Sequence, residues 1–158
     1  MLFLLFQLGK ERYALPANKV VEVVPLLTLK PLPQAPRGVA GIFNYRGRPV
    51  AALDLSEITV GRPAEERLST RIVILNYPSP NGGSHLVGLI AEHATGMLRK
   101  DLSDFKPSGI QLASAPFLGP VLMDSQGVVQ LIREEYLVPD AVRQMLVPET
   151  AAIRDAAN

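Results

Sequence analysis

The chain has no cysteine and no tryptophan, and its only histidines are His85 and His93. Without cysteine there can be no disulfide, no thiolate nucleophile and no cysteine-based metal site. That composition suits a reducing compartment. If one strand spans both histidines, their spacing puts them on one face but far apart, at a rise of about 3.3 Å per residue. No HExxH or similar ligand pattern accompanies them. Aromatic residues make up only 6% of the chain, which leaves few stacking platforms for single-stranded nucleic acid. The net charge of +1 lacks the basic surplus with which a general nucleic-acid binder displaces counterions. No apolar run approaches the ~20 residues that span a bilayer. The opening stretch MLFLLFQLG has no basic n-region, is broken by Gln7 and is followed by no small-residue cleavage site. These features predict a cytoplasmic chain with no direct membrane insertion.

Catalytic patterns are also missing. No serine lies in GxSxG or SxxK, and Ser79, Ser84, Ser103 and Ser108 sit among turn formers. Gly82-Gly83 lacks the following lysine and the strand-to-helix setting of a phosphate loop. The acidic pairs Asp101/Asp104 and Glu134/Glu135 occupy turn-like or helix-start contexts, where carboxylates cap helices or complement their dipoles. No catalytic residue, cofactor site or metal site is expected. The alternative is a small β-barrel enzyme or small-molecule-binding protein. It would need His85, His93, Glu92 and Asp54 to converge in one pocket.

What the chain does have is 158 residues that are 47% hydrophobic, enough for one domain with a sizeable core. Fourteen prolines and twelve glycines cut it into short apolar pieces, a pattern of many short strands. Leu2–Leu8 and Tyr13–Pro16 form a first hairpin, a helical turn begins near Asn18, and Val20–Val24 extends to Pro25. Residues 25–37 hold four prolines and cross as a stiff extended loop. Gly38–Tyr45, the turn Arg46-Gly47-Arg48 and Pro49–Leu55 make a second hairpin. Arg71–Tyr77 is almost continuously apolar, as in a strand buried on both faces. A loop at 78–84 leads to Leu86–Ala91, and Gly96–Arg99 is a candidate further strand. Residues 101–116 are irregular. Phe117–Met123 and Val128–Ile132 flank a turn at 124–127. Pro139 and Asp140 start a C-terminal helix, with Asp140 available as its cap. The polar stretch 56–70 is the best internal boundary. The expected fold is all-β, with two small closed barrels of about five strands each, divided there. Residues 1–147 form a single domain and 148–158 a frayed tail. Residues 1–63 carry eight basic and four acidic side chains, and residues 64–158 carry eight and eleven. An acidic partner for the first half would fit that asymmetry.

The second hairpin carries the most specific pattern: Gly41-x-x-Asn44-Tyr45-Arg46-Gly47-x-Pro49-Val50-x-x-x-Asp54-Leu55. It resembles the signature of CheW-like domains, GxxNLRGxxxPVxDL, with the proline slightly early. The order of the flanking segments is also similar, over about residues 2–138. They are Tyr13-Ala14-Leu15-Pro16, Val20-Val21-Glu22-Val23, the proline-rich crossing, Arg71–Leu75, Val87–Ile90 and the final hairpin. The resemblance implies two five-stranded SH3-like β-barrel subdomains that share a core. It also implies a non-catalytic adaptor that binds the signalling tip of a methyl-accepting chemoreceptor and the regulatory domain of a CheA-like histidine kinase. Val20 and Glu22 match the strand that faces the receptor groove in that family. Gly41, Asn44, Arg46 and Gly47 match the hairpin that forms or supports it. Arg46 would bond a partner carboxylate or loop carbonyls, or act as an internal brace. Where the family shows VGLxVDxV, this chain has Val87–Ala94 with Glu92 in place of the acid, and Pro120 stands in the closing hairpin. These departures imply a divergent member. A chain that begins at its first strand and ends soon after its last helix favours a stand-alone adaptor over a fragment of a kinase.

Overall fold

The computed structural model describes residues 1–78 and 83–146. The tail expected at 148–158 and most of the loop expected at 78–84 lie outside them. Nine strands and two short helices follow in chain order. They are β1 (Leu2–Leu8), β2 (Glu11–Pro16), β3 (Val20–Pro25), β4 (Val39–Tyr45), β5 (Arg48–Asp54), α1 (Leu55–Val60), β6 (Arg71–Pro78), β7 (Ser84–Arg99), β8 (Leu118–Asp124), β9 (Gly127–Ile132) and α2 (Asp140–Met145). A 3-10 turn at Ala17–Lys19 falls where Asn18 predicts one.

The strands form two sets of five. One runs β7–β1–β2–β9–β8 and the other β3–β6–β7–β5–β4, so β7 belongs to both. The fold is therefore all-β, in two five-stranded units with short helices. Among the described residues no ladder joins β3 to β4 or β7 to β8, so neither ring of backbone hydrogen bonds closes completely.

Side-chain alternation explains the core. On β6, Ile72 and Ile74 point into one unit, with Phe43, Val50, Ala52 and Ile90. Val73 and Leu75 point the other way, into a cluster shared by both units. On β1, Phe3 fills the interior of the second unit with Phe105, Leu122 and Val129, while Leu4 and Phe6 enter the shared cluster. Period-two alternation sends successive residues to opposite faces. Because both faces are buried, these strands are mostly apolar, as Arg71–Tyr77 suggests.

Four expectations need correction. Residues 86–91 and 96–99 are not separate strands; β7 runs unbroken through sixteen residues. Its first half pairs with β5 and β6, and its second half pairs with β1. The change of sheet occurs at His93, which has φ 50°, opposite a register shift between Leu5 and Gln7. The two units are also not the two halves of the chain, because pairing ignores the segment 56–70. β1 and β2 from the start join β8 and β9 from the end, through a parallel β2–β9 ladder. Both later hairpin turns are tighter than expected: Tyr45 pairs with Arg48 and Asp124 with Gly127, leaving two residues in each loop. Asp140 does not cap α2, since Pro139 occupies that position; Asp140 instead pairs with Arg143.

Candidate protein-interaction surface

The β4–β5 turn is built by two left-handed residues, Arg46 at φ 51° and Gly47 at φ 84°. Positive φ at both central positions is the type I′ pattern, whose twist matches that of the flanking strands. Asn44 supports the turn, its Oδ1 accepting a hydrogen bond from the Gly47 N–H at 2.7 Å. Gly41 serves the other end of the hairpin. A Cβ there would lie 2.4 Å from the Lys30 carbonyl oxygen, and φ is 150°. The bare backbone lets the proline-rich crossing lie against β4, where Lys30 and Ile42 exchange N–H···O bonds of 2.8 and 2.9 Å.

Glu22 comes from β3, just past a register shift between Val20 and Glu22. That shift puts Glu22 beside the hairpin turn. Its Oε2 accepts from the Tyr45 hydroxyl at 2.5 Å. Arg46 Nη2 donates to Glu22 Oε1 at 3.3 Å and to Oε2 at 3.4 Å. The Arg46 guanidinium also sits over the Tyr45 ring, 5.4 Å from its centre. Hydrogen bonding to Glu22, reinforced by burial, raises the Tyr45 hydroxyl above its ordinary value of 10.0, and the nearby Arg46 charge partly opposes the shift. Glu22, Asn44, Tyr45, Arg46 and Gly47 thus share one corner of the molecule. Val20 lies on the other side of the bulge, half-buried against the shared cluster. Val21 is the exposed apolar residue beside Glu22, at 49%. Beside the turn lies an open groove of 490 Å³ with Leu29, Ile42, Phe43 and Pro49 among its apolar lining and Lys30, Arg48 and Asn44 among its polar lining.

Asp54 and Glu92 both accept hydrogen bonds from Ser56, but none of the described grooves is lined by more than one of the four residues the enzyme alternative requires. Asp54 is the N-cap of α1: Oδ1 accepts from the N–H groups of Ser56 and Glu57 at 3.0 and 3.3 Å, and Oδ2 from Ala64 at 2.9 Å. Glu92 is buried and accepts from Ser56 Oγ at 2.9 Å. His93 shapes the bend of β7. His85 lines a different groove, with Leu86, Met145 and Leu146. Among the described residues no group of three His, Asp or Glu side chains could hold a metal ion, and no helix is long and apolar enough to cross a membrane.

Sequence reasoning did not assign a role to Tyr45. The available signal was a hydroxyl-bearing residue next to Arg46, at a place where the signature carries leucine. It also missed Arg12, whose guanidinium grips Asp124 through bonds of 3.0 and 2.5 Å and so joins β2 to the β8–β9 hairpin. That contact is between residues 112 apart, which no local pattern reveals.

Comparison with known proteins gives a consistent result. A family model, the CheW-like domain, matches residues 2–142. The Protein FrzA of Myxococcus xanthus is 29% identical over 121 residues, covering 75% of this chain and 72% of that one. The Chemotaxis protein CheW of Helicobacter pylori is 26% identical over 106 residues, covering 66% of this chain and 61% of that one. The crystal structure of the scaffolding protein TtCheW from Thermoanaerobacter tengcongensis has the same fold, with a TM-score of 0.74, 21% identity and 87% of each chain covered.

Proposed function

The chain belongs to the CheW-like domain family, whose members are non-catalytic scaffolds of chemotaxis signalling, and we propose that it couples the signalling tip of a methyl-accepting chemoreceptor to the regulatory domain of a CheA-like histidine kinase. The observation that supports this most directly is the exposed corner where Glu22 and Arg46 meet at 3.3 Å beside Val21. Their side chains are 35% and 74% exposed, so the pair is on offer to a partner rather than spent inside the fold. A helical hairpin docks by setting apolar anchors into a groove, and charges at the rim fix its orientation. Glu22, Asn44, Arg46 and Gly47 are assigned to this interface, and Val20 and Gly41 to its support from within the fold. Tyr45 and Val21 are added to the interface. Each contact is expected to bury near ~1,000 Å², with avidity in a clustered array supplying the rest. The protein then works in the cytoplasm, recruited to receptor clusters.

The test is affinity capture from the native cytoplasm with the wild type and with Arg46→Ala, Val20→Asp and Val21→Asp, each checked for an unchanged fold by circular dichroism. Co-recovery of a methyl-accepting receptor and a histidine kinase, reduced in folded variants, is the expected result. Unchanged recovery by all three variants would count decisively against this surface.

A further inference from the structure

Glu22 has two donors and serves them unequally. The Tyr45 hydroxyl lies 2.5 Å from Oε2, a short charge-assisted bond. Arg46 Nη2 stands at 3.3 and 3.4 Å, beyond the usual range for N–H···O. The tyrosine makes the shorter bond to the carboxylate, and the arginine makes a longer ion pair with it and rests over the tyrosine ring. Arg46 Nε and Nη1 have no hydrogen-bond partner among the described residues, and its side chain is 74% exposed. A guanidinium so placed retains most of its fork for an incoming planar anion.

We infer that Tyr45 is a specificity-determining residue: by taking the Glu22 carboxylate it keeps Arg46 presented to a carboxylate on the partner's docking helix. Two features make the arrangement act as a unit. The tyrosine ring supports the guanidinium from beneath, and Asn44 and Gly47 fix the left-handed turn from which Arg46 projects. Without the hydroxyl, Glu22 would turn to Arg46 and close a conventional ion pair, withdrawing the cation. The inference rests on the reading of this corner as partner-facing, and goes beyond it by naming the gate and the chemistry that it admits.

The experiment uses the full chain with arginine side-chain NMR and calorimetric titration of a chemoreceptor signalling-hairpin fragment at two salt concentrations. The variants are Tyr45→Phe, Tyr45→Leu and Glu22→Gln. Tyr45→Phe and Tyr45→Leu are expected to slow rotation of the Arg46 guanidinium, to weaken binding about fivefold or more, and to lose part of its salt dependence. Glu22→Gln still accepts from Tyr45 but no longer attracts Arg46, and is expected to bind tighter than the wild type. If the Glu22–Arg46 pair is merely a brace, the order reverses, with Glu22→Gln weakest and Tyr45→Phe neutral; that result overturns the inference. If the wild type does not bind the fragment, the proposed function falls, and guanidinium rotation alone decides the role of Tyr45. Slower rotation in Tyr45→Phe upholds its hold on Glu22, and unchanged rotation overturns it.

Discussion

Replacing Asp54 with alanine tests whether the most conspicuous acid of the signature hairpin is a structural group. Its two oxygens accept three backbone N–H groups, from Ser56, Glu57 and Ala64. Asp54 is only 6% exposed and Ser56 is fully buried, so water cannot replace all of the lost bonds. Removing an N-cap costs about 0.5–2 kcal/mol, and the additional bond from Ala64 to a charged acceptor is worth about 1.5–3 kcal/mol. A loss of about 3 kcal/mol follows. For a chain of this size each kcal/mol moves Tm by about 2–4 °C, so Asp54→Ala should melt roughly 6–12 °C below the wild type. Asp54→Asn should fall between the two. Asparagine caps as well as aspartate, but one side of its amide now faces the Ala64 N–H with a donor or gives up the cap to avoid it. Thermal unfolding followed by far-ultraviolet circular dichroism measures both. If Asp54→Ala melts within about 2 °C of the wild type, these bonds do not hold α1 and the loop to Ala64 in place, and the structural assignment of Asp54 is wrong.

The Arg12 guanidinium, aided by the Gln126 N–H, holds the Asp124 carboxyl below its ordinary value of 3.8. A depressed carboxylate stabilises the fold above its unfolded value and loses that contribution as pH falls through the folded one. The Tm gap between wild type and Asp124→Asn should therefore be full at neutral pH and close below about pH 3.8 in an acid melting series. Gly41→Ala should displace the crossing segment, because its Cβ would meet the Lys30 carbonyl oxygen at 2.4 Å. A Tm loss matching about 1–3 kcal/mol and faster proteolysis within residues 26–37 are expected. Gly47→Ala meets no neighbour within 4 Å and has only its φ of 84° to bear, so it should cost less, about 1 kcal/mol. Equal losses in the two glycine variants would show that the close approach at Lys30 is unimportant.

The strands were legible because their cause is local. Proline and glycine mark where ladders stop, and buried faces demand apolar residues, so the bounds of β1, β3 and β6 fall within a residue or so of the apolar runs. What connects the strands was not legible. The parallel β2–β9 ladder and the Arg12–Asp124 pair join opposite ends of the chain, and neither leaves a trace in a ten-residue window. The unity of β7 was hidden for a different reason. His93 and Thr95 interrupt its apolar pattern where the strand leaves one sheet for the other and its surroundings change. At the site, the signature located the turn, but the Glu22–Arg46 contact was not legible, because it joins residues 24 apart and depends on a strand pairing that no local pattern reveals. Nor was the side of the strand taken by Val20, because a one-residue bulge reverses it.

The interleaved topology also bears on how a protein without chemistry could transmit a signal. Two barrels on a linker would reorient freely, since interfaces between domains in a chain are small and relative motion is the default. Here one strand, β7, is a working member of both sheets, and the chain's two ends are woven together through β2 and β9. Between the units lies a continuous cluster that includes Leu4, Phe6, Leu53, Val73, Leu89 and Ile132. Changing the angle between the units would require bending β7 or opening that cluster, and close-packed interiors resist both. A surface on one unit is therefore held at a set orientation to a surface on the other. Under the proposed coupling role, with one partner on each unit, that rigidity would carry displacement from one partner to the other through backbone pairing.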